Sequence, residues 1–272
     1  ANARVYTVES GELTGSVAAE FEFEVPESCA VNPSEIYTKI PVKVIYTLDE
    51  DADYIKVRVE LNNTAKDHWL RVNFPTNIQT TYSVCDSHFD LVKHDIAIPD
   101  STGWVEQAFG TQPLRTFAAV TDGENGFAVM PKGLYEYEVF DDSTMALTLI
   151  RACRIKLAVS EEKQTELDDE GVQCPGKHTY EYAMHFDGKE VTTLPNKAAE
   201  IFAPVKCAAV GRGKGNLPRE NSLLSIDNKN VHVTAVKRAE DGNGAIIRFY
   251  NASEQEQTVA VQTAETVYKC KM

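Results

Sequence analysis

Asp86, His88 and Asp90 form an H-x-D motif with a further carboxylate two residues upstream, and on an extended strand all three would share one face. Such a face has a geometry that can hold a metal ion. The competing reading, preferred here because short motifs recur by chance, is an exposed polar strand face. His178, Glu181 and His185 suggest acid–base chemistry. Alternation, however, puts Tyr180 and Tyr182 on the His178 face and Glu181 with His185 on the other, so hydrogen-bonded framework histidines are expected. Gly211-Arg212-Gly213-Lys214-Gly215 has the composition of a phosphate-binding loop. It lacks a preceding apolar strand, a following helix and a hydroxyl residue after the lysine, and reads as a flexible basic connector. Trp104, with Phe109 and Tyr135, offers an aromatic platform for a sugar ring, but a Trp beside Gly103 is expected to plug a sandwich core. Arg151 ends an apolar strand and by alternation shares a face with Leu147 and Leu149. A partly buried guanidinium needs an acidic partner, and Glu136 or Glu138 on the neighbouring strand can supply it.

The elements that must position these groups are almost all strands. Phe21, Phe23 and Val25 alternate with glutamates, Val42, Val44 and Tyr46 follow the same period, and so do Ile55, Val57, Val59 and Leu61. Each pattern predicts an antiparallel strand with one wet face. Further strands are expected over 80–85, 117–120, 126–130, 135–140, 145–151 and 178–186, separated by turn residues such as Asp122-Gly123 and Asp187-Gly188. The stretch 160–169 favours a solvated loop or a short helix, and 194–199 has room for one helical turn. Without strong helices, α/β classes such as the Rossmann fold and the TIM barrel are excluded. Residues 1–210 are expected to form a main β-domain, 211–218 a Gly-rich linker, and 219–272 a small β-domain that reads as cut short.

Composition narrows the partners. Hydrophobic residues make up 43% of the 272-residue chain and charged residues 25%, which describes a folding globular protein. With 41 acidic against 27 basic side chains, the net charge of −14 argues against nucleic acid. No apolar run is long enough to span a bilayer and no basic-then-apolar leader opens the chain, so no membrane association and a cytoplasmic location are expected. The six cysteines form neither C-x-x-C nor a Cys/His cluster, which excludes the common zinc patterns and predicts free, mostly buried thiols.

Two stretches carry a family resemblance. They are Ala65-Lys66-Asp67-His68-Trp69-Leu70-Arg71-Val72-Asn73-Phe74-Pro75-Thr76, and Lys132-Gly133-Leu134-Tyr135-Glu136-Tyr137-Glu138-Val139 running into Ala146–Arg151. With Val8-Glu9-Ser10-Gly11, the Pro175–Ala183 block, Val233–Lys237 and Ile247–Asn251, they follow one another in the order used by the C-terminal β-domains of glycoside hydrolase family 38, the α-mannosidases, which the chain resembles. The resemblance implies a large antiparallel β-supersandwich of the galactose-mutarotase type, followed by a small β-sandwich segment. It also implies that catalysis lies elsewhere. In the family, an Asp nucleophile, an Asp acid/base and a zinc ion gripped by an H-x-D-x-x-W motif act in a separate N-terminal domain. At the corresponding place after His88 and Asp90 this chain has Lys93 instead of Trp.

The resulting expectation is a non-catalytic C-terminal β-domain of an α-mannosidase-type glycoside hydrolase. It has no cofactor of its own and packs against its own N-terminal catalytic and helical domains, with a homo-oligomer as a further possibility. Arg151 and Arg154 are its candidate residues at the rim of the cleft that takes the carbohydrate substrate. No catalytic residue and no metal ligand is assigned within it. Two rivals stand beside this expectation: an independent carbohydrate-binding module and a mutarotase-type sugar epimerase.

Overall fold

Period-two alternation is realised as two stacked antiparallel sheets. The computed structural model describes residues 2–29, 32–158, 164–167, 170–203, 205–211, 213, 215–216, 218–263 and 267–271. The chain opens with β1 (Arg4–Ser10), β2 (Thr14–Pro26), β3 (Tyr37–Asp49) and β4 (Tyr54–Asn63), which pair in sequence order. β5 (Trp69–Pro75) then leaves for a second layer, and β6 (Tyr82–Asp86) and β7 (Leu91–Asp95) return to the first. β8 (Thr111–Pro113) is again in the second layer, β9 (Ala118–Thr121) and β10 (Gly126–Lys132) in the first, and β11 (Glu136–Val139) and β12 (Thr144–Arg151) in the second. β13 (Ile155–Ala158) and β14 (Gln164–Leu167) make a separate hairpin. β15 (Gly176–His185) closes the first layer by inserting between β4 and β10. The nine-stranded sheet therefore runs β1-β2-β3-β4-β15-β10-β9-β6-β7, and the four-stranded sheet β5-β12-β11-β8. All strand pairs in both are antiparallel.

The main core fills the space between these sheets. Val57, Val59, Val120, Val129 and Tyr182 from the large sheet meet Phe74, Tyr137, Met145, Leu147 and Ile150 from the small one. Phe74 packs against Phe127 and Tyr182 at ring separations of 5.4 and 5.8 Å. The buried Tyr137 hydroxyl is satisfied by the Ser83 hydroxyl at 2.8 Å.

The opposite face of the large sheet carries small residues, and a helix lies on them. α1 (Leu194–Phe202) presents Leu194, Ala198 and Ile201 to Ala119, Ala128, Met130 and Ala183. Those three residues sit at i, i+4 and i+7, and Pro195 fits the first turn, where its missing N–H costs nothing. The helix is longer than the single turn expected at 194–199, because the alanine-lined face leaves room for two full turns. The other departure concerns 160–169, expected as loop or short helix: Gln164–Leu167 is a strand, while 160–163 and 168–169 lie outside the described residues.

The C-terminal part forms β16 (Leu224–Ile226), β17 (Val231–Arg238), β18 (Ala245–Asn251), β19 (Thr258–Thr263) and β20 (Val267–Lys271). They make a three-stranded sheet, β16-β19-β20, and a hairpin, β17-β18, around Val231, Val259 and Val261. Specific contacts fasten this unit to the main sandwich. Thr192 donates to Asn230 at 2.8 Å, Lys93 pairs with Glu254 at 3.1 Å, and Phe89 meets Tyr250 edge-on at 6.4 Å.

His232 is buried in this seam, with Nε2 at 2.7 Å from the Thr192 carbonyl oxygen. Its Nδ1 has no partner. Burial holds the imidazole below its ordinary value, and the bond to Thr192 pulls weakly the other way. His68 and His94 are lowered by burial too. A lowered histidine gives stability that is complete above its unfolded value of about 6.5 and is lost as pH falls below it, because the unfolded chain then binds protons the folded chain resists. The melting temperature should therefore drop between pH 7.5 and pH 5.5, and His232→Gln should flatten that slope. Equal slopes in calorimetric melts of the two proteins would rule out His232 as a contributor.

The thiols differ from expectation. Cys85 is buried, but Cys29, Cys153 and Cys207 are exposed and Cys174 is half-buried, all of them free. These three lie in or beside connections, where alternation gives no burial signal. Burial pushes the Cys85 thiol up to about 11. Among the described residues no helix is long and apolar enough to cross a membrane.

Candidate functional site

The outer face of the four-stranded sheet brings together the polar residues of greatest chemical interest. Along β5, Leu70, Val72 and Phe74 point into the sandwich, so Trp69, Arg71 and Asn73 point out. Along β11, Tyr137 and Val139 are buried in the core, and Glu136 and Glu138 face the same way as Arg71. On β12, Met145 and Leu147 point in and Thr148 points out. A bulge between Thr148 and Ile150 then shifts the register against β5, so that both Leu149 and Ile150 enter the core.

That bulge corrects the position of Arg151. Simple alternation puts it with Leu147 and Leu149, whereas in the structure it stands opposite Trp69 on the outer face. The guanidinium is half-exposed, and Nη1 donates to Glu136 Oε2 at 2.7 Å. Of the two acidic partners considered, Glu136 is the one used. Glu138 instead accepts from Arg71 Nη1 at 2.6 Å, in a pair whose side chains are each only 14% exposed.

A continuous network joins these groups. Trp69 Nε1 donates to Thr148 Oγ1 at 3.0 Å, and the Thr148 hydroxyl donates to Glu136 Oε1 at 2.8 Å. The Trp69 ring has the Arg71 guanidinium at 3.2 Å from its centroid and that of Arg151 at 4.7 Å. Two cations on one indole are tolerated because each has its own carboxylate, so the ring adds attraction without meeting an uncompensated charge. The result is an arginine fork held in one orientation at the end of β12, able to donate hydrogen bonds to hydroxyl or carboxylate oxygens.

Arg154 lies three residues further on, with Nε 3.4 Å from Asp67 Oδ1. Asp67 adopts a positive φ of 54° and is itself gripped by the buried Gln173, which accepts from the Asp67 amide at 2.8 Å and donates to Oδ1 at 2.9 Å. Asn63 donates to the carbonyls of Gln173 and Cys174, which fixes this corner to β4. Arg151 and Arg154 thus emerge from the same end of the four-stranded sheet, each on a carboxylate. Sequence reasoning missed Arg71, Thr148, Asp67 and Gln173. The outward spacing of Trp69 and Arg71 facing that of Glu136 and Glu138 was the available signal for the first; nothing local marked Gln173.

The other candidates take structural roles. Asp86 is not on an exposed strand face: it is buried at the end of β6, where Oδ1 accepts from the amides of Arg115, Thr116 and Phe117. His88 and Asp90 fall in the following turn, closed by the Ser87 amide on the Asp90 carbonyl at 2.9 Å. Among the described residues no group of three His, Cys, Asp or Glu side chains converges as a metal site. His178 bonds the Cys174 carbonyl at 2.8 Å, His185 the Asp53 carbonyl at 3.0 Å, and Glu181 takes Lys132 at 2.6 Å. Trp104 does not plug the core; it is exposed in the irregular stretch between β7 and β8, and Phe109 and Tyr135 are exposed too. The reason is local: Asp100–Thr102 and Ser101–Gln107 hydrogen bonds fold this stretch on itself outside the sandwich.

Comparison with known proteins gives a consistent pattern. Residues 1–156 match the model of the glycosyl hydrolases family 38 C-terminal domain, and residues 230–272 that of the family 38 C-terminal beta sandwich domain. A putative mannosylglycerate hydrolase of Halalkalibacterium halodurans is 28% identical over 234 residues, which are 83% of this chain and 24% of that protein. The crystal structure of an alpha-mannosidase from Enterococcus faecalis V583 superposes with a TM-score of 0.85 at 23% identity, over 96% of this chain and 31% of that one. A second family 38 structure from Enterococcus faecalis gives 0.83, also at 23% identity, over 97% and 32%. The chain therefore spans about a quarter to a third of the proteins it matches.

Proposed function

Given that this chain belongs to glycoside hydrolase family 38, as its C-terminal β-region, we propose that it serves a longer α-mannosidase-type enzyme as scaffold and as one wall of the substrate cleft. Residues 1–210 act as the main unit, 211–218 as the connection and 219–272 as the small unit. The parent reaction is hydrolysis of an α-mannoside, and its zinc and its carboxylate pair belong to the polypeptide outside these residues. The chain on its own carries no catalysis in this reading, and fold likeness cannot supply any.

The observation that supports a rim role is the display of Arg151. Its guanidinium is half-exposed yet tied down by Glu136 and the Trp69 ring, so it can meet a sugar hydroxyl or carboxylate without first losing conformational freedom. Arg154, on Asp67, is the second donor at that rim. A free carbohydrate-binding module is the second reading, supported by the exposed rings of Trp104, Phe109 and Tyr135. The epimerase reading has less support, since His178 and His185 are bonded to backbone carbonyls and Glu181 to Lys132.

The test is Arg151→Ala in the full-length enzyme, assayed on a chromogenic α-mannoside with the 272-residue chain alone as control. Loss of one charged hydrogen bond to the substrate should lower kcat/KM about tenfold to a hundredfold with little change in melting temperature. The control should show no turnover with or without zinc. Unchanged kcat/KM would remove Arg151 from the rim, and zinc-dependent turnover by the chain alone would overturn the scaffold reading.

A further inference from the structure

Phe74, Phe127 and Phe186 form a stepped row of rings at one end of the sandwich, and only the last is open to solvent. The ring centroids are 5.4 Å apart from Phe74 to Phe127 and 5.8 Å from Phe127 to Phe186. Phe74 and Phe127 belong to the core, whereas Phe186, just past the end of β15, is 58% exposed. The row floors a cavity of about 560 Å³ between the ends of β5 and β15 and the turn that joins β9 to β10. Small-molecule sites usually measure about 300–1,000 Å³.

Three asparagines, Asn73, Asn77 and Asn125, stand around this floor, and no Asp, Glu, Lys, Arg or His lines it among the described residues. In a chain of which 25% is charged, that absence sets the charge of the ligand. An anion finds no counter-charge here and meets a net charge of −14, while a cation finds no carboxylate. The side-chain amides of Asn73 and Asn77 make no hydrogen bond with other described residues. That of Asn125 donates to Asp122 at 3.2 Å. The walls are fixed before any ligand arrives. Asn77 sits at a φ of 58°, a left-handed conformation that asparagine tolerates. Its loop is held by Thr76, which donates to the Ser143 carbonyl at 2.7 Å, and by Gln79, which donates to the Ser143 hydroxyl at 3.0 Å. Across the cavity, Gly126 bridges to Asp187, and a side chain at Gly126 would collide with the Lys189 backbone. A cavity that needs no ordering keeps more of its binding energy.

An exposed ring beside amides that both donate and accept fits a molecule with an apolar C–H face and hydroxyls at its edge. We propose that this cavity is a binding site for an uncharged pyranose, stacked on Phe186 with its hydroxyls on Asn73, Asn77 and Asn125. An apolar molecule of similar size is the poorer occupant, because it would cover the amides without pairing them. Trp69, at the Arg151 rim, and Pro75, at this cavity, are the two ends of β5, roughly 20 Å apart. The site is therefore separate from that rim, and it shares no residue with the exposed rings of Trp104, Phe109 and Tyr135.

The test follows the carbon-13 methyl signal of Met184, which lines the cavity, in the 272-residue chain. Titration with the methyl pyranosides of mannose, glucose and galactose should move it, with a dissociation constant on the order of 1 mM for at least one of them. The signals of the buried Met130 and Met145 should stay in place. Phe186→Ala and Asn77→Gly should each weaken binding about tenfold. The Phe186 ring is exposed and glycine keeps the φ of Asn77, so neither variant threatens the fold. No movement of Met184 with any of the three sugars, or undiminished binding in either variant, would overturn the proposal. Tighter binding of cyclohexanol would overturn it too, as the mark of an apolar cavity. None of these outcomes touches the Arg151 experiment, so the two ideas fall separately.

Discussion

Asp86→Ala should lower stability by about 4 kcal/mol, seen as a fall of roughly 10 °C in melting temperature. The carboxylate is buried and accepts three backbone amides at 2.7 to 3.2 Å on Oδ1, with the Thr116 hydroxyl at 2.6 Å on Oδ2. A hydrogen bond to a charged acceptor contributes about 1.5–3 kcal/mol, and losses within one network do not add in full. The amides belong to the residues that lead the chain into β9, which lies between β10 and β6 in the large sheet, so the carboxylate fixes the entry to that strand. Asp86→Asn keeps one carbonyl oxygen for the amides and should lose about half as much. Added zinc should leave both melts unchanged. A loss below about 1 kcal/mol for the alanine variant would show that the turn holds itself, and a zinc-dependent melt would restore the metal reading of this motif.

The second large effect is expected at the Arg71–Glu138 pair. Glu138→Ala should cost about 3–5 kcal/mol, because it leaves the nearly covered Arg71 guanidinium without its counter-charge. Arg71 Nε and Nη2 already lack partners, so nothing nearby can take over. The fit around the carboxylate is also tight: a side chain at Gly110 would collide with Glu138 Oε1. The double variant Arg71→Met/Glu138→Leu removes both charges and should recover most of the loss, since the pair's attraction is largely offset by its desolvation. A urea double-mutant cycle measures this. A double variant as unstable as Glu138→Ala would mean that packing on Trp69, and not charge balance, is what the pair contributes.

The strands were legible wherever alternation ran clean, as in Val42–Tyr46 and Ile55–Leu61, because a half-buried antiparallel strand writes its burial into every second residue. Pairing between distant strands leaves no such trace. Nothing in the local pattern announces that β15 inserts between β4 and β10, or that Trp69 meets Arg151 across a bulge. The acidic partner of Arg151 could be narrowed to two glutamates, and choosing between them needed the register of β11 on β12. Asp86 was the hardest case. A carboxylate two residues ahead of an H-x-D motif looks the same in sequence whether it shares that motif's face or anchors a neighbouring loop, and only the three amides aimed at Asp86 distinguish the two.

The bulge between Thr148 and Ile150 makes one strand serve two addresses. Upstream of it the even-numbered positions look outward; downstream, an odd-numbered arginine does. Conservative exchanges at Leu149 or Ile150 leave the count intact and are absorbed as packing changes. Loss of one of these two residues removes the bulge and restores strict alternation, with Thr148 out, a single apolar side chain in and the arginine still facing out opposite Trp69. The extra residue thus places a second consecutive apolar side chain in the core without changing the side of the sheet on which the arginine emerges.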